Sequence, residues 1–258
     1  MGVFVTLASG SSGNAALLST RNTHLLIDAG VSFRRLREEL RRFDVSPDEL
    51  TAVLLTHEHS DHTKGLEQLL RHTEVPLYTS RGTACHLGSL QVPPERLRYI
   101  APGDRLTFGE VEAEVFPTSH DTAESLGFRF AAGGHALAYF TDVGAVTPEL
   151  RRGVLGAECL FLECNHDVEK LLRGPYPERL KQRILGRGGH LSNDDCAALV
   201  CEAAAAGVRR VTLCHLSKEN NTPALAACAV LSALSEAGCD EVRVTVAPPD
   251  RASQPYLF

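Results

Sequence analysis

No Cys-x-x-Cys pair occurs among the eight cysteines, which stand at positions 85, 159, 164, 196, 201, 214, 228 and 239. Their spacing therefore suggests neither a thiolate metal site nor a redox pair, and most sit in apolar runs such as Val211-Thr212-Leu213-Cys214, as reduced core residues do. No run reaches the ~18 apolar residues that a membrane-spanning helix requires. The start of the chain has neither a basic n-region nor a small-residue cleavage site, so a soluble, cytoplasmic protein without a membrane partner is expected. Met1-Gly2-Val3-Phe4-Val5-Thr6 matches a loose myristoylation pattern, but the same residues alternate as a first strand does, and the strand is the preferred reading. No long Pro/Ser/Gly linker divides the 258 residues, 43% of them hydrophobic, so one domain spanning 1–258 is expected. A formal net charge of -6 argues against a broadly basic surface and leaves room for a local patch. No internal repeat is visible.

Short strands are expected at Val3 to Leu7, Ala16 to Leu18 and His24 to Ile27. Ser32 then caps a helix whose apolar face is Phe33, Leu36, Leu40 and Phe43. The other face carries Arg34, Arg35, Arg37, Arg41 and Arg42, but Glu38 and Glu39 interleave with them, which favours a solvated face over a polyanion contact. Ser46-Pro47-Asp48-Glu49 opens a short helix, Ala52 to Thr56 is a strand, and a helix beyond His62 carries Leu66, Leu69 and Leu70. Strands and hairpins follow from Leu106 to Phe116 and from Leu126 to Thr141, with Gly133-Gly134 as the turn. Cys159 to Glu163, Val208 to Cys214 and Glu241 to Val246 read as further strands. Ser192 with Asp195 resembles a capping box, and Thr222 before Pro223 is a second helix start; Gly207 and Gly238 stop these two helices. Strands and helices in both halves suit two packed sheets with helices on their outer faces.

Directly after the apolar run Ala52-Val53-Leu54-Leu55 comes Thr56-His57-Glu58-His59-Ser60-Asp61-His62. Every ligand-type side chain in this His-x-His-x-Asp-His order binds metal well. Alternate residues of an extended segment point the same way, so His57 and His59 grip one ion, while Asp61 and His62, at the turn into the next helix, face a second.

The cluster resembles, residue for residue, the signature of the metallo-β-lactamase superfamily. That resemblance implies an α+β fold, an αββα four-layer sandwich, and four more landmarks at strand ends. All four are present: Asp28 in Leu25-Leu26-Ile27-Asp28-Ala29-Gly30, His120 in Pro117-Thr118-Ser119-His120-Asp121, Asp142 in Tyr139-Phe140-Thr141-Asp142-Val143-Gly144, and His215 after Val211 to Cys214. Singly, each would more often be a turn or core residue; their order reverses that expectation. The resemblance implies one site of His57, His59 and His120, another of Asp61, His62 and His215, and Asp142 bridging both. Asp28 would orient the histidine loop without binding metal. Two divalent ions about 3.5–4 Å apart would share a hydroxide of pKa roughly 7, a nucleophile at neutral pH. An N/O donor set suits Zn, Mn or Fe.

Exported β-lactamases of this fold commonly use a Cys ligand, and the redox diiron members resemble His-x-Glu-x-Asp-His where this chain has His59. Glyoxalase-type thioesterases share the core and stand as the alternative, followed by a non-catalytic, metal-stabilised regulatory protein. Three further segments point to phosphodiesters. Ser9-Gly10-Ser11-Ser12-Gly13-Asn14 presents donors to a phosphate. Glu163-Cys164-Asn165-His166-Asp167 follows a strand, and Gly188-Gly189-His190-Leu191-Ser192-Asn193 precedes a helix N-terminus. His166 or His190 is the expected proton donor to a leaving alkoxide, and both join Asp61 as catalytic candidates. Ser11, Ser12, Asn14, Asn165 and Lys218 are the candidate phosphate contacts. With His215-Leu216-Ser217-Lys218-Glu219-Asn220-Asn221, these segments resemble the YycJ/WalJ family of cytoplasmic metallo-β-lactamase-fold proteins. The resemblance implies a double-stranded DNA exonuclease working from 5′ ends with Mn. The interval from Asp142 to His215 has no room for the large inserted domain of β-CASP nucleases, and the long flexible arm of tRNA 3′-processing enzymes is missing. Any grip on DNA must therefore come from the loops already named.

Overall fold

Two seven-stranded sheets form the centre of the structure, a computed structural model that describes residues 2–88, 90 and 92–258; Met1 of the myristoylation-like stretch lies outside them. The first sheet starts as an antiparallel meander of β1 (Val3–Ala8), β2 (Ala15–Ser19) and β3 (His24–Ile27). It continues in parallel through β4 (Ala52–Leu54), β5 (Leu77–Thr79) and β6 (Leu97–Tyr99). The second sheet pairs β7 (Arg105–Phe108), β8 (Val111–Pro117), β9 (Leu126–Ala132) and β10 (His135–Phe140) antiparallel. Then β11 (Cys159–Glu163), β12 (Arg210–Cys214) and β13 (Arg243–Val246) run parallel. A last strand, β14 (Tyr256–Leu257), returns to the first sheet antiparallel to β1. Both sheets thus repeat one order of strand directions although the sequence shows no repeat.

Parallel neighbours need long crossovers, and helices supply them. The first sheet is served by α1 (Phe33–Arg41), α2 (Ser60–Thr63), α3 (Leu66–His72) and α4 (Arg81–Cys85). The second is served by α5 (Pro148–Val154), α6 (Val168–Arg173), α7 (Glu178–Leu185), α8 (Asn193–Ala205) and α9 (Pro223–Glu236). The start signals act as expected: Ser32, Ser192 and Thr222 each accept from the backbone N–H three residues on. Pro47–Glu49 forms a 3-10 turn inside a capping box where a short helix was expected; three residues cannot close an α-helical turn.

Three apolar cores separate four layers. Between the sheets lie Phe4, Leu18, Phe128, Phe130, Tyr139 and Phe161. Outside the first sheet, Val5, Leu17 and Leu26 meet Leu36 and Leu40 of α1 and Leu69 of α3. Outside the second, Phe140, Leu160 and Leu162 meet Leu150 of α5, Leu199 of α8 and Val230 of α9. Because central strands bury both faces, they read as continuous apolar runs rather than as alternation. Gly133 and Gly134, with φ of 60° and 85°, make the two-residue hairpin turn that joins β9 to β10. The α+β, αββα sandwich is the fold observed. Its functional edge is the one where β3, β4, β10, β11 and β12 end, since Asp28, His57, Asp142, Glu163 and His215 all stand at or just past those ends.

Candidate metal centre

The His57-to-His62 loop leaves β4 in extended form, and His59, at φ -60° and ψ 148°, then caps the single turn of α2 that carries Asp61 and His62. His57 and His59 therefore lie on the extended part and Asp61 and His62 on the helical part, which aims the pairs differently. Ligand-type atoms of His57, His59 and His120 all fall within 4.8 Å of one another, as do those of Asp61, His62 and His215, and those of His57, His62 and Asp142. The two expected triads are assembled, with Asp142 between them.

Three of the imidazoles, those of His62, His120 and His215, are turned by a hydrogen bond on the far nitrogen, as metal-binding histidines are. His120 Nδ1 donates to the Gly189 carbonyl at 2.9 Å, which leaves Nε2 3.3 Å from His59 Nδ1. His62 Nδ1 donates to Asp28 Oδ2 at 2.8 Å. His215 Nδ1 donates to Glu163 Oε1 at 2.8 Å. Asp28 also accepts from the backbone N–H of Thr56 at 2.8 Å and from its hydroxyl. It is fully buried and bonded to the loop, the place expected for a group that orients the histidines.

Buried atoms without partners bear on whether this set suits metal. His57 Nε2, His215 Nε2 and Asp142 Oδ2 are buried without a hydrogen-bond partner among the described residues, an expensive condition unless something charged is coordinated there. The donors are nitrogen and carboxylate oxygen only, a set that suits divalent cations. Charge points the same way. Burial holds the His57 pKa well below the usual imidazole value. Burial acts likewise on His62, but the Asp142 and Asp28 carboxylates outweigh it and push the value up to about 10. Burial would raise the Asp142 carboxyl, yet His215 and His62 hold it well below the usual range. Ionised carboxylates so far from solvent require cations beside them.

Asp28, Asp142 and His215 adopt φ of 61°, 56° and 53°. A left-handed backbone is costly for non-glycine residues and gathers where function holds it in place. His215 is fixed by its backbone N–H, which donates to Ser9 Oγ at 2.8 Å.

Sequence reasoning missed the role of Glu163. It is completely buried, and Oε1 accepts from both His190 Nδ1 at 2.7 Å and His215 Nδ1 at 2.8 Å. Oε2 takes the backbone N–H groups of Val143 at 2.6 Å and Leu191 at 3.2 Å. Burial opposes its ionisation, but His190 and His215 outweigh that and hold it at about 2. The available signal was a carboxylate at the end of an otherwise apolar strand.

The remaining candidates separate. His190 has a side chain about one-fifth exposed, and its ring centroid lies 4.9 Å from that of His120 and 5.2 Å from that of His215. His166 is only 1% exposed, and neither of its ring nitrogens has a partner among the described residues. Ser11 and Ser12 are exposed in a turn closed by Gly13 N–H to the Gly10 carbonyl at 2.9 Å, and Lys218 is exposed. Asn14 and Asn165 are buried beside the candidate ligands. Asn14 Nδ2 lies 3.0 Å from His62 Nε2 and donates to Asp61 Oδ2 at 3.2 Å while its Oδ1 accepts from Gly10 N–H, and Asn165 Nδ2 donates to the His215 carbonyl at 2.8 Å. Both amides thus engage neighbouring protein groups. The same holds for Asn193 and Asn221, bonded to each other at 2.8 Å and 3.2 Å, with Asn221 also reaching the carbonyls of Cys164 and Asn165 at 3.0 Å. Asparagines from three separate segments thus form a support beneath the site.

A family model described as the beta-lactamase superfamily domain matches residues 23–216. Exodeoxyribonuclease YycJ of Bacillus anthracis is 36% identical over 91% of this chain and 90% of its own length. The chain belongs to the metallo-β-lactamase-fold family of YycJ and WalJ. Exodeoxyribonuclease WalJ of Streptococcus pneumoniae strain D39 is 38% identical over 90% of this chain and 87% of its own. Among solved structures, the metallo-β-lactamase-fold protein YhfI of Bacillus subtilis superposes with a TM-score of 0.74 at 19% identity, covering 98% of this chain and 99% of that one. Divalent ions, often two, go with this fold, and the His/Asp clusters fit them. No helix is long and apolar enough to cross a membrane among the described residues.

Proposed function

We propose that the protein is a binuclear metal-dependent phosphodiesterase whose substrate is DNA, acting as an exonuclease on double strands from 5′ ends. The observation that carries the substrate class is the similarity to two exodeoxyribonucleases along nearly the whole of this chain. His57, His59 and His120 would hold one ion, Asp61, His62 and His215 the other, and Asp142 would serve both; Zn, Mn and Fe all suit these donors. Two such ions supply Lewis acidity and a water acidified to near neutrality.

The protein's own groups do the rest. Asp28 and Glu163 hold Nδ1 of His62 and His215, so that Nε2 of each is the nitrogen turned toward the ligand cluster. Glu163 fixes His190 in the same way, and a partly exposed imidazole at the rim is placed to give a proton to the departing alkoxide. That role favours His190 over His166, whose burial keeps it from a substrate. Ser11, Ser12 and Lys218, all exposed, remain donors for phosphate oxygens.

The test is a substrate panel on purified, metal-analysed protein. Linear duplex DNA and bis(p-nitrophenyl) phosphate are expected to be hydrolysed under Mn, Zn or Fe, with β-lactams and S-lactoylglutathione left nearly untouched. His190→Ala is expected to slow DNA hydrolysis at unchanged metal content. Efficient thioester hydrolysis with no nuclease activity would falsify this reading in favour of a glyoxalase-like enzyme.

A further inference from the structure

Residues 168–190 carry six cations, Lys170, Arg173, Arg179, Lys181, Arg183 and Arg187, against two carboxylates, Glu169 and Glu178, in a chain of net charge -6. This excess is concentrated beside the metal centre. The turn after α7 packs on both ligand loops of the second sheet: the Ser119 hydroxyl donates to the Arg187 carbonyl, Asp121 N–H donates to the Gly188 carbonyl at 2.9 Å, and His120 donates to that of Gly189. A Cβ added to Gly144, two residues past Asp142, would come within 2.3 Å of the Arg187 carbonyl oxygen. Arg187 therefore stands at the rim of the site.

Most of these cations have partners. Arg173 pairs with Glu169 at 2.6 Å, Lys170 Nζ donates to the Asn221 carbonyl at 3.2 Å, and Lys181 Nζ donates to the Leu172 carbonyl at 2.6 Å. Arg183 holds both carboxylate oxygens of Asp121, next to His120, and so pins α7 to the ligand loop. Glu178 accepts from Gln182 at 2.7 Å. Arg179 and Arg187 are exposed, and neither has a carboxylate within 4.0 Å among the described residues. Arg179 and Arg183 share a helix face at i and i+4, and Arg187 lies in the turn past the helix end at Gly186. The α1 face also has two exposed arginines without an ion pair among the described residues, Arg37 and Arg41, but they line a cleft together with Glu38, Asp44, Asp48 and Glu49, while Arg34 and Arg42 pair with Glu38 and Glu39 and Arg35 bonds the Leu7 and Pro249 carbonyls.

We propose that α7 and the turn behind it form a rail for the phosphate backbone of DNA, with Arg179 and Arg187 as its free cations and Arg183 as its anchor. The inference rests on the nuclease reading above. The eight residues of α7, at about 1.5 Å each, span ~12 Å, which corresponds to roughly three nucleotides along one strand of a duplex at 3.4 Å axial rise. Guanidinium groups along the helix and its turn meet phosphates without reading bases, so the contact is indifferent to sequence.

The experiment measures equilibrium binding of a short duplex, its ends blocked by phosphorothioates, to the metal-loaded protein across a salt series. Each phosphate contact contributes about 0.9 to the slope of log affinity against log salt, so Arg179→Gln/Arg187→Gln is expected to lower the slope by about 2, equally for unrelated sequences. A matched pair, Arg209→Gln/Arg243→Gln, lies at or before the starts of β12 and β13, the ends away from the site, and is expected to leave the slope unchanged. An unchanged slope in the α7 variant, while wild type binds and degrades DNA, overturns the rail and spares the nuclease reading. Wild-type protein that neither binds nor degrades DNA overturns both.

Discussion

Glu163 Oε1 accepts from His215 Nδ1 at 2.8 Å, and the same oxygen accepts from His190 Nδ1 at 2.7 Å. One buried carboxylate thereby orients a metal-ligand candidate and the proposed proton donor. Replacing it with Gln removes the charge that favours both N–H donors and presents an amide that can point the wrong way. Glu163→Gln is expected to weaken metal affinity by about 10–100-fold, as loss of a ligand's orienting partner does, and to slow DNA hydrolysis further than metal loss alone explains. Metal titration with DNA rates at saturating metal separates the two effects. Wild-type affinity and rate would show that Glu163 is only a core acid.

Gly30 is required by a close approach. A Cβ there would lie 1.7 Å from the Asp61 carbonyl oxygen and 2.6 Å from Asn14 N, both backbone atoms. Those atoms are joined by the Asn14 N–H to Asp61 carbonyl bond at 2.7 Å, beside the Gly30 N–H to Asn14 carbonyl bond at 2.8 Å. Gly30→Ala must push the first-strand loop away from α2, and overpacking of this kind costs about 1–3 kcal/mol. Thermal unfolding together with metal analysis checks it: a lower Tm and weaker metal retention are expected, and an unchanged pair of values would mean that the loops separate freely.

Much of the site was legible because its residues break locally predictable patterns. Asp28, Asp142 and His215 each interrupt an apolar strand at its end, and four of the seven residues after Leu55 are ligand candidates. Glu163 ends its strand in the same way, but nothing in the sequence shows that His190 and His215, far along the chain, both turn to one of its oxygens. The orientation of Asn14 and Asn165 is hidden for a related reason. A sequence shows that a polar group sits near the site but not which way it faces: the Asn14 amide turns to Asp61 and His62, that of Asn165 to the His215 carbonyl. In the fold, strands with long apolar runs were found, whereas β6 at three residues and β14 at two are too short to carry a period. The helices α6 and α7 are interrupted by Gly174-Pro175 and Pro177 and are rich in charge, so their helical pattern is brief.

Glu110 offers a pH test remote from the metal centre. It ties two hairpin turns together, accepting from the Thr20 and Thr23 hydroxyls and, at 3.2 Å, from Asn22 N–H. The Thr20 hydroxyl, first among these donors, helps bring its pKa down to about 2. A carboxylate whose pKa is depressed by folding contributes stability above its unfolded value, about 4.3, and loses it as pH falls through the folded one. Glu110→Gln is therefore expected to have a lower Tm than wild type at neutral pH, with the gap closing between about pH 4 and pH 2. A gap that stays constant across that range would mean that the turns are held by other contacts.

Asp142 and Asp28 distinguish holding metal from orienting its ligands. Each stands just past the last antiparallel-paired strand of its sheet in a left-handed conformation, at φ 56° and 61°. Asp142 places Oδ2 3.1 Å from His62 Nε2 and Oδ1 3.6 Å from His120 Nε2, facing both triads. Asp28 instead meets His62 on its other nitrogen and spends its remaining contacts on Thr56. Protein purified without chelator is expected to carry close to two ions per chain. Asp142→Ala should abolish hydrolysis and release metal, because two neighbouring cations would lose the carboxylate that neutralises them. Asp28→Ala should retain most of the metal and lose about 10–100-fold in rate, since the ligands stay while their orientation loosens. Metal content by mass spectrometry beside DNA hydrolysis rates decides the matter. If Asp28→Ala empties the site as fully as Asp142→Ala, the two carboxylates do not divide the work in this way, and a reproducible single ion with full activity would exclude the binuclear arrangement.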